Sequence, residues 1–199
     1  MIKPALAIKH CHPDLDTWAQ VYLKQGEHYI SNGQPAQVKT VLGSCVSVTM
    51  HCPILKIGGI THSLLPFPIP GTTLQPGHRG RFVISSINLL FERLLSSGAV
   101  RNSLEVKIFG GGQMFLPDPD RPVLKSLNIG RRNVETALET IQKLGLSVTT
   151  TDVGGNLGRK LLFFPHNGDV WVKKINRLVH HQQSAECPNA LFRGLQGRG

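Results

Sequence analysis

Apolar and polar residues alternate in several short segments, and this alternation predicts β-strands. Residues 37–52, "QVKTVLGSCVSVTMHC", read as an extended segment that breaks at Gly43–Ser44 and then alternates through Val46, Val48 and Met50. A second strand is predicted in "LKIGGITHSLLP" and stops at Pro66. The Asn-Gly pair of "HNGD" predicts a hairpin between the last two strands. The remaining strand candidates are "LEVKIFGGG", "SVTTTDV", "RKLLFFPH" and "DVWVKKI".

Two other segments have the spacing of amphipathic helices, each followed by a glycine that predicts its end. Between strands and helices, "FPIPGTTLQPGHRG" has no apolar period and predicts a surface loop. Two helices among six or more strands predict an α/β fold, a single compact domain of mixed β-sheets with two main helices. The apolar helical positions are Val83, Ile84, Ile87, Leu90, Phe91, Leu94 and Leu95 in the first helix, and Ile129, Val134, Ala137, Leu138, Ile141 and Leu144 in the second.

The chain has 199 residues, which suits one domain with short additions at its ends. We predict the domain over residues 27–176. Residues 1–26 form an N-terminal extension in this interpretation, and residues 177–199 form a flexible C-terminal tail, because that segment has little periodicity.

The formal net charge of +10 indicates acidic partners, such as nucleic acid, an anionic membrane surface or an acidic protein. The basic pairs Arg131–Arg132, Arg159–Lys160 and Lys173–Lys174 are compatible with a nucleic-acid surface or with solvated charges. Only 6% of the residues are aromatic, and no stacking pattern accompanies the charges. We therefore expect no nucleic-acid partner.

No apolar run approaches the ~20 residues of a membrane span, and the N-terminus lacks a signal-peptide pattern. We therefore expect a soluble, cytoplasmic protein without membrane insertion. The four cysteines have no regular spacing, so we expect free thiols. The clusters His10–Cys11–His12 and His51–Cys52 match no common zinc pattern, and we expect free surface side chains there rather than a metal site.

Cys45 directly follows a Gly-Ser turn, at the start of a predicted strand. A thiol in that position is within reach of a substrate. A thiol attacks as thiolate, and its ordinary pKa of ~8.5 means that it needs a base at neutral pH. His62, in the next strand, is placed to take the proton and form an ion pair, and the Thr40 hydroxyl to orient the imidazole. Backbone N–H groups at Gly43 and Ser44 are candidates for holding an oxyanion. A cysteine that merely packs inside a strand remains the alternative.

Five blocks of the sequence resemble, in this order, the signature blocks of CheD, the chemoreceptor glutamine deamidases of bacteria and archaea. The blocks extend over most of the predicted domain. The resemblance implies that Cys45 is the nucleophile, His62 the general base and Thr40 the third member of a triad. It also implies a fold similar to the catalytic domain of cytotoxic necrotizing factor toxins. The blocks are "TVLGSCVSV", "GGITHSLLP", "FGGGQMF", "NIGRRN" and "TDVGGNLGRKLLF".

The activity that the resemblance implies is hydrolysis of specific glutamine side chains to glutamate and ammonia through a Cys thioester, without a metal or organic cofactor. The implied substrates are the cytoplasmic helices of chemoreceptors, and a CheC-type phosphatase is a further possible partner. A CheD-like adaptor that binds these partners without turnover is the alternative from another functional class.

Overall fold

The chain forms ten β-strands and two α-helices within the residues that the computed structural model describes, which are 17–68, 76–113, 128–176 and 193–195. Helix α1 spans Val83–Ser96 and helix α2 spans Ile129–Lys143. The strands are β1 (Ala19–Tyr22), β2 (His28–Ile30), β3 (Ala36–Leu42), β4 (Val46–Cys52), β5 (Ile57–Thr61), β6 (Glu105–Gly110), β7 (Val148–Val153), β8 (Gly158–Phe164), β9 (Asp169–Ile175) and β10 (Arg193–Leu195).

The strands are arranged in two five-stranded mixed sheets. The front sheet has the order β1-β3-β8-β9-β10, and the central sheet has the order β2-β5-β4-β6-β7. The pairs β1–β3 and β6–β7 are parallel, and all other pairs in the two sheets are antiparallel. The prediction of an α/β domain with mixed sheets and two main helices is confirmed.

Strand β4 shows how the layers follow from the sequence. Alternate side chains of a strand point to opposite faces. Val46, Val48, Met50 and Cys52 pack in one apolar cluster with residues of α1, α2 and β6. Cys45, just before β4, packs instead in a cluster with residues of the front sheet. The central sheet therefore lies between the helices and the front sheet.

The front sheet includes strands on both sides of the predicted domain limits, whereas the strands of the central sheet lie within them. Strand β1 pairs with β3 although it precedes residue 27, and β10 pairs with β9 within the segment predicted to be a tail. Their pairing partners are distant in sequence, so local pattern gave no signal for them. The hairpin between β8 and β9 is confirmed, with Gly168 at a φ of +75°.

One local prediction was wrong. In α2, Leu138 is 43% exposed, whereas Asn133 and Thr140 point inward and are buried. The segment predicted as a surface loop has a 3-10 helix over Pro76–Arg81 at its end; its residues 69–75 lie outside the described residues.

The residues considered for a metal site are placed differently from the prediction. His51 and Cys52 are buried rather than at the surface. No group of three or more potential ligands is found among the described residues, whereas His10, Cys11 and His12 lie outside them. Within the described ranges, Cys45 and Cys52 are free thiols. None of the helices there is both long enough and apolar enough to cross a bilayer.

Candidate active site

Cys45 is held by backbone contacts where β3 turns into β4. The Gly111 N–H donates a hydrogen bond to the Cys45 carbonyl at 2.8 Å, and the Gly112 N–H donates to the Gly43 carbonyl at 2.8 Å. Gly110 has a φ of +105°, and a Cβ atom there would lie 2.2 Å from the Cys45 oxygen. The glycine run of "FGGG" is therefore a close backbone crossing beside the nucleophile candidate.

His62 follows β5 and lies on the same sheet face as Cys45. The neighbouring residues Val46 and Ser63 are bridge partners, and they exchange backbone hydrogen bonds of 3.0 and 2.9 Å. Extending this antiparallel register places Cys45 and His62 in diagonal positions on the face opposite to Val46. The Cys45 side chain packs between the two sheets, and His62 is 2% exposed.

Thr40 contacts His62 directly and fixes its tautomer. Thr40 Oγ1 donates to the Leu23 carbonyl at 2.8 Å and lies 2.8 Å from His62 Nδ1. Since the one hydroxyl proton is committed to Leu23, His62 Nδ1 must be the donor in the second contact. The Leu23 carbonyl, 3.4 Å from Nδ1, can only accept as well. In the neutral imidazole, Nε2 is then unprotonated and able to accept a proton.

His62 Nε2 is buried and has no hydrogen-bond partner among the described residues. The same residue borders a cleft of about 550 Å³. The cleft therefore adjoins His62 on the front-sheet side, while Cys45 is not one of its lining residues. The cleft is lined by Tyr22, Leu23, Lys24, Gln25, Val41, Leu42, Gly43, His62, Gly158, Ile175 and Asn176.

Burial keeps both Cys45 and His62 neutral. It raises the pKa of the Cys45 thiol to about 11, and the cysteine's own backbone N–H opposes this shift only in part. Burial also lowers the pKa of His62, against smaller raising effects of the Leu23 carbonyl and of Glu27. The resting state favoured by these shifts is a thiol beside a neutral imidazole, rather than the ion pair expected from the sequence.

The two residues predicted to hold an oxyanion differ in their surroundings. Gly43 lines the cleft. Among the described residues, no backbone carbonyl accepts a hydrogen bond from the Ser44 N–H, and the Cys45 N–H faces its own thiol. The N–H groups of Ser44 and Cys45, adjacent to the sulfur, are the available donors for a charge that develops on a bound carbonyl oxygen.

Asn133 is a site residue to which sequence reasoning assigned no chemistry. Its Nδ2 atom donates to the carbonyl of Ser44 at 3.0 Å and to that of Leu64 at 2.8 Å. It thereby ties the turn before Cys45 to the segment after His62. The only sequence signal is a polar side chain on the buried stripe of α2, in line with Ala137 and Ile141.

Arg159 is a buried side chain that holds the loop between β7 and β8. Its guanidinium pairs with Asp152 at 2.8 Å and also donates to the carbonyls of Gly154 and Leu157. The side chain is 3% exposed. Arg159 therefore belongs to an internal ion pair and contributes no charge to a nucleic-acid surface.

Comparison with known proteins identifies relatives over most of the chain. Residues 64–174, more than half of the chain, match the model of the family described as CheD chemotactic sensory transduction. The "Probable chemoreceptor glutamine deamidase CheD 2" of Geobacter sulfurreducens is 41% identical, over 83% of this chain and 94% of that protein. The "Probable chemoreceptor glutamine deamidase CheD" of Maridesulfovibrio salexigens is 39% identical, over 79% and 93% respectively.

Among solved structures, the hypothetical protein YfiH of Bacillus licheniformis matches with a TM-score of 0.39 and 11% identity, over 76% of this chain and 69% of that one. A likeness at that level supports no argument about fold or function, so the similarity to cytotoxic necrotizing factor toxins stays a prediction. The extent and identity of the sequence matches are decisive. The chain belongs to the CheD family.

Proposed function

We propose that the chain is a cysteine-dependent deamidase that converts glutamines of chemoreceptors to glutamate in the cytoplasm. The observation that carries the proposal is the Thr40–His62 contact, which leaves an Nε2 lone pair without a partner in the described part of the chain, on the sheet face shared with Cys45. The names of the relatives support glutamine as the substrate group. We also propose that the fold of this chain is similar to that of the catalytic domain of cytotoxic necrotizing factor toxins.

In the first half of the reaction, His62 Nε2 takes the thiol proton as the Cys45 sulfur attacks the carboxamide carbon of glutamine. Proton transfer accompanies attack, because the raised pKa of Cys45 disfavours a free thiolate beforehand. The negative charge on the former carbonyl oxygen is held by the N–H groups of Ser44 and Cys45. Protonated His62 returns the proton to the nitrogen, ammonia leaves, and a thioester remains.

In the second half, water attacks the thioester carbon while His62 Nε2 takes its proton. The carbon–sulfur bond breaks, glutamate is released, and the thiol of Cys45 is restored by the proton from His62. Thr40 holds Nδ1–H throughout, so that Nε2 keeps facing the reacting atoms. The chain's own residues suffice for every proton transfer in this scheme.

The proposed substrates are the methylation helices of chemoreceptors, and a CheC-type phosphatase is a second proposed partner. A deamidated site carries a new carboxylate, which changes the charge of the receptor and can later be methylated. The net charge of +10 favours encounter with such acidic helices.

The test is mass spectrometry of a receptor helical-hairpin fragment after incubation with the protein or with its Cys45→Ala variant. The matched control is Cys52→Ala, which removes the other described free thiol on the opposite face of β4. We expect conversion of specific glutamines by the wild type and by Cys52→Ala, and none by Cys45→Ala.

Equal conversion by Cys45→Ala would contradict the assignment of the nucleophile. If the wild type binds the fragment but converts no glutamine, the adaptor function replaces the enzymatic one. The buried Cys45, 8% exposed, is the specific feature that makes this second function worth testing.

A further inference from the structure

The outer surface of the front sheet has a group of lysines next to the cleft that borders His62. Lys160 pairs in register with Val41 on one side and with Lys173 on the other, so the three side chains share one face. Lys39 lies on the same face, two residues along β3 from Val41. We call Lys39, Lys160 and Lys173 the lysine face; Lys160 is exposed and the other two are half-buried.

The lysine face and the cleft are continuous. Tyr22, Val41 and Ile175 occupy outward positions of the same sheet, and all three line the cleft together with His62. Tyr22 is also 62% exposed. The lysine face is therefore a surface that directly adjoins the cleft, within reach of a chain segment that inserts a side chain toward His62.

Charge on this surface is one-sided. Among the described outward positions of β1, β3, β8 and β9, the only acidic residue is Asp169, which lies at the far end, opposite Phe164. Asp169 is engaged there by Asn167. Among these described positions, carboxylates of a partner would meet ammonium groups and no like charge at the end next to the cleft. Glu27, whose charge acts on His62, lies outside these strands.

We propose that the lysine face is the docking surface for an acidic segment that flanks the target glutamine of the substrate protein. The carboxylates of that segment contact Lys160 and Lys173 while the glutamine side chain enters the cleft toward His62. This inference rests on the proposed function, since it assigns the flanking sequence of that function's substrate.

The experiment measures binding and turnover of a chemoreceptor helical-hairpin fragment with a glutamate-rich surface. Lys160→Glu/Lys173→Glu is compared with Arg93→Glu/Lys143→Glu, which makes the same change in net charge on exposed positions of α1 and α2, on the other side of the central sheet. Affinity is measured in the Cys45→Ala background, and deamidation with Cys45 present.

We expect the lysine-face variant to bind the fragment at least about tenfold more weakly than the control variant at low salt, with the difference shrinking as salt rises. Deamidation should lose kcat/KM mainly through KM, while a short neutral glutamine peptide reacts equally with both variants. Equal affinities for the fragment, or no binding of it to the unsubstituted surface, would overturn the docking surface.

The outcomes separate this inference from the proposed function. Binding that depends on Lys160 and Lys173 without any deamidation retains the docking surface and removes the enzyme. Deamidation that is indifferent to both lysines retains the enzyme and removes the docking surface. Duplex DNA is added as a competitor. If it displaces the fragment from the control variant, in which the lysine face is intact, if it does not bind the lysine-face variant, and if it binds more tightly than the fragment, the surface is assigned to nucleic acid and the proposal is overturned.

Discussion

Thr40 Oγ1 lies 2.8 Å from His62 Nδ1 and donates its own proton to the Leu23 carbonyl. The hydroxyl is therefore an acceptor toward the imidazole, and it holds a single tautomer without adding charge. A carboxylate in this position would stabilise the imidazolium and raise the pKa of His62. With a neutral partner, burial dominates and lowers that pKa. The imidazole is therefore neutral in the resting site, and in the proposed mechanism the thiol proton moves to it only during the reaction.

The Thr40 hydroxyl is tested by the near-isosteric substitution Thr40→Val. We expect kcat for deamidation to fall at least ~10-fold, because the imidazole loses the acceptor that holds Nδ1–H and the preferred tautomer. Thr40→Ser keeps an acceptor and should restore most of the rate. Both variants are measured on the receptor fragment, with urea denaturation to establish that each is folded. A Thr40→Val rate equal to that of Thr40→Ser would show that the hydroxyl does not orient His62.

The pH dependence of two rates tests the neutral pair. Alkylation of Cys45 by iodoacetamide should be slow at pH 7 and rise toward pH 11, because burial raises the pKa of the thiol to about 11. The proposed mechanism requires unprotonated His62, whose pKa is lowered from 6.5 by burial. The acid limb of the deamidation rate profile should therefore have its midpoint below pH 6.5.

Cys52→Ala protein is used for the alkylation measurement, so that one described thiol remains and peptide mapping assigns the label to it. An alkylation midpoint below pH 8.5, or an acid limb with a midpoint above pH 6.5, would instead indicate a resting thiolate–imidazolium pair.

Gly110 tests whether the close backbone crossing positions the nucleophile. In Gly110→Ala the new Cβ would lie 2.2 Å from the Cys45 oxygen, at a φ of +105°. We expect a loss of about 3 kcal/mol or more in unfolding free energy, or a folded protein with displaced Cys45 and little activity. Gly154→Ala is the control: its φ is also positive, at +69°, but nothing lies within 4 Å, so about 1–2 kcal/mol is expected. Similar losses in both variants would assign the effect to φ alone.

Alkaline stability gives a further check on Cys45. The pKa of the thiol is about 11 in the folded chain and near its ordinary value of ~8.5 when unfolded, so the folded state binds more protons between these values. The free energy of unfolding should therefore fall as pH rises from 9 to 11. Cys45→Ala lacks this contribution, and comparison with it cancels effects of other groups such as Tyr29, whose pKa burial also raises. Urea titrations of both proteins at pH 8 and 10.5 measure how much the free energy of unfolding falls with pH. An equal fall in the wild type and in Cys45→Ala would contradict a buried, protonated thiol.

Much of the fold follows from local pattern, and much of the site does not. The alternation in β4, the Asn-Gly hairpin and the helical spacing of α1 are local signals, and each is borne out. The Leu23 carbonyl that accepts from Thr40 arrives through the parallel pairing of β1 with β3, which no local pattern specifies. The burial that raises the pKa of Cys45 likewise depends on packing between two sheets.

Substitution of Asn133 tests whether this side chain only stabilises the fold or also positions the site. Asn133→Ala removes the donor to the Ser44 and Leu64 carbonyls, and each buried acceptor left without a partner costs ~1–3 kcal/mol. We expect unfolding free energy to fall by about that amount and kcat to fall further than the unfolded fraction explains. The reason is that the turn before Cys45 and the segment after His62 lose the side chain that joins them. Activity is measured under conditions in which the variant is fully folded, by urea titration.

Thr140→Val is the matched control for Asn133→Ala. Thr140 is also a buried polar residue of α2, but among the described residues its hydroxyl donates only to the Thr136 carbonyl of the same helix. We expect a cost below ~1 kcal/mol and an unchanged kcat, because a hydroxyl bonded within its own helix adds little to the helix. Asn133→Asp sharpens the comparison, since an ionised carboxylate offers no donor to either carbonyl. If all three variants keep the wild-type kcat while folded, Asn133 supports stability alone, and the relation between Cys45 and His62 is set by the Val46–Ser63 bridge.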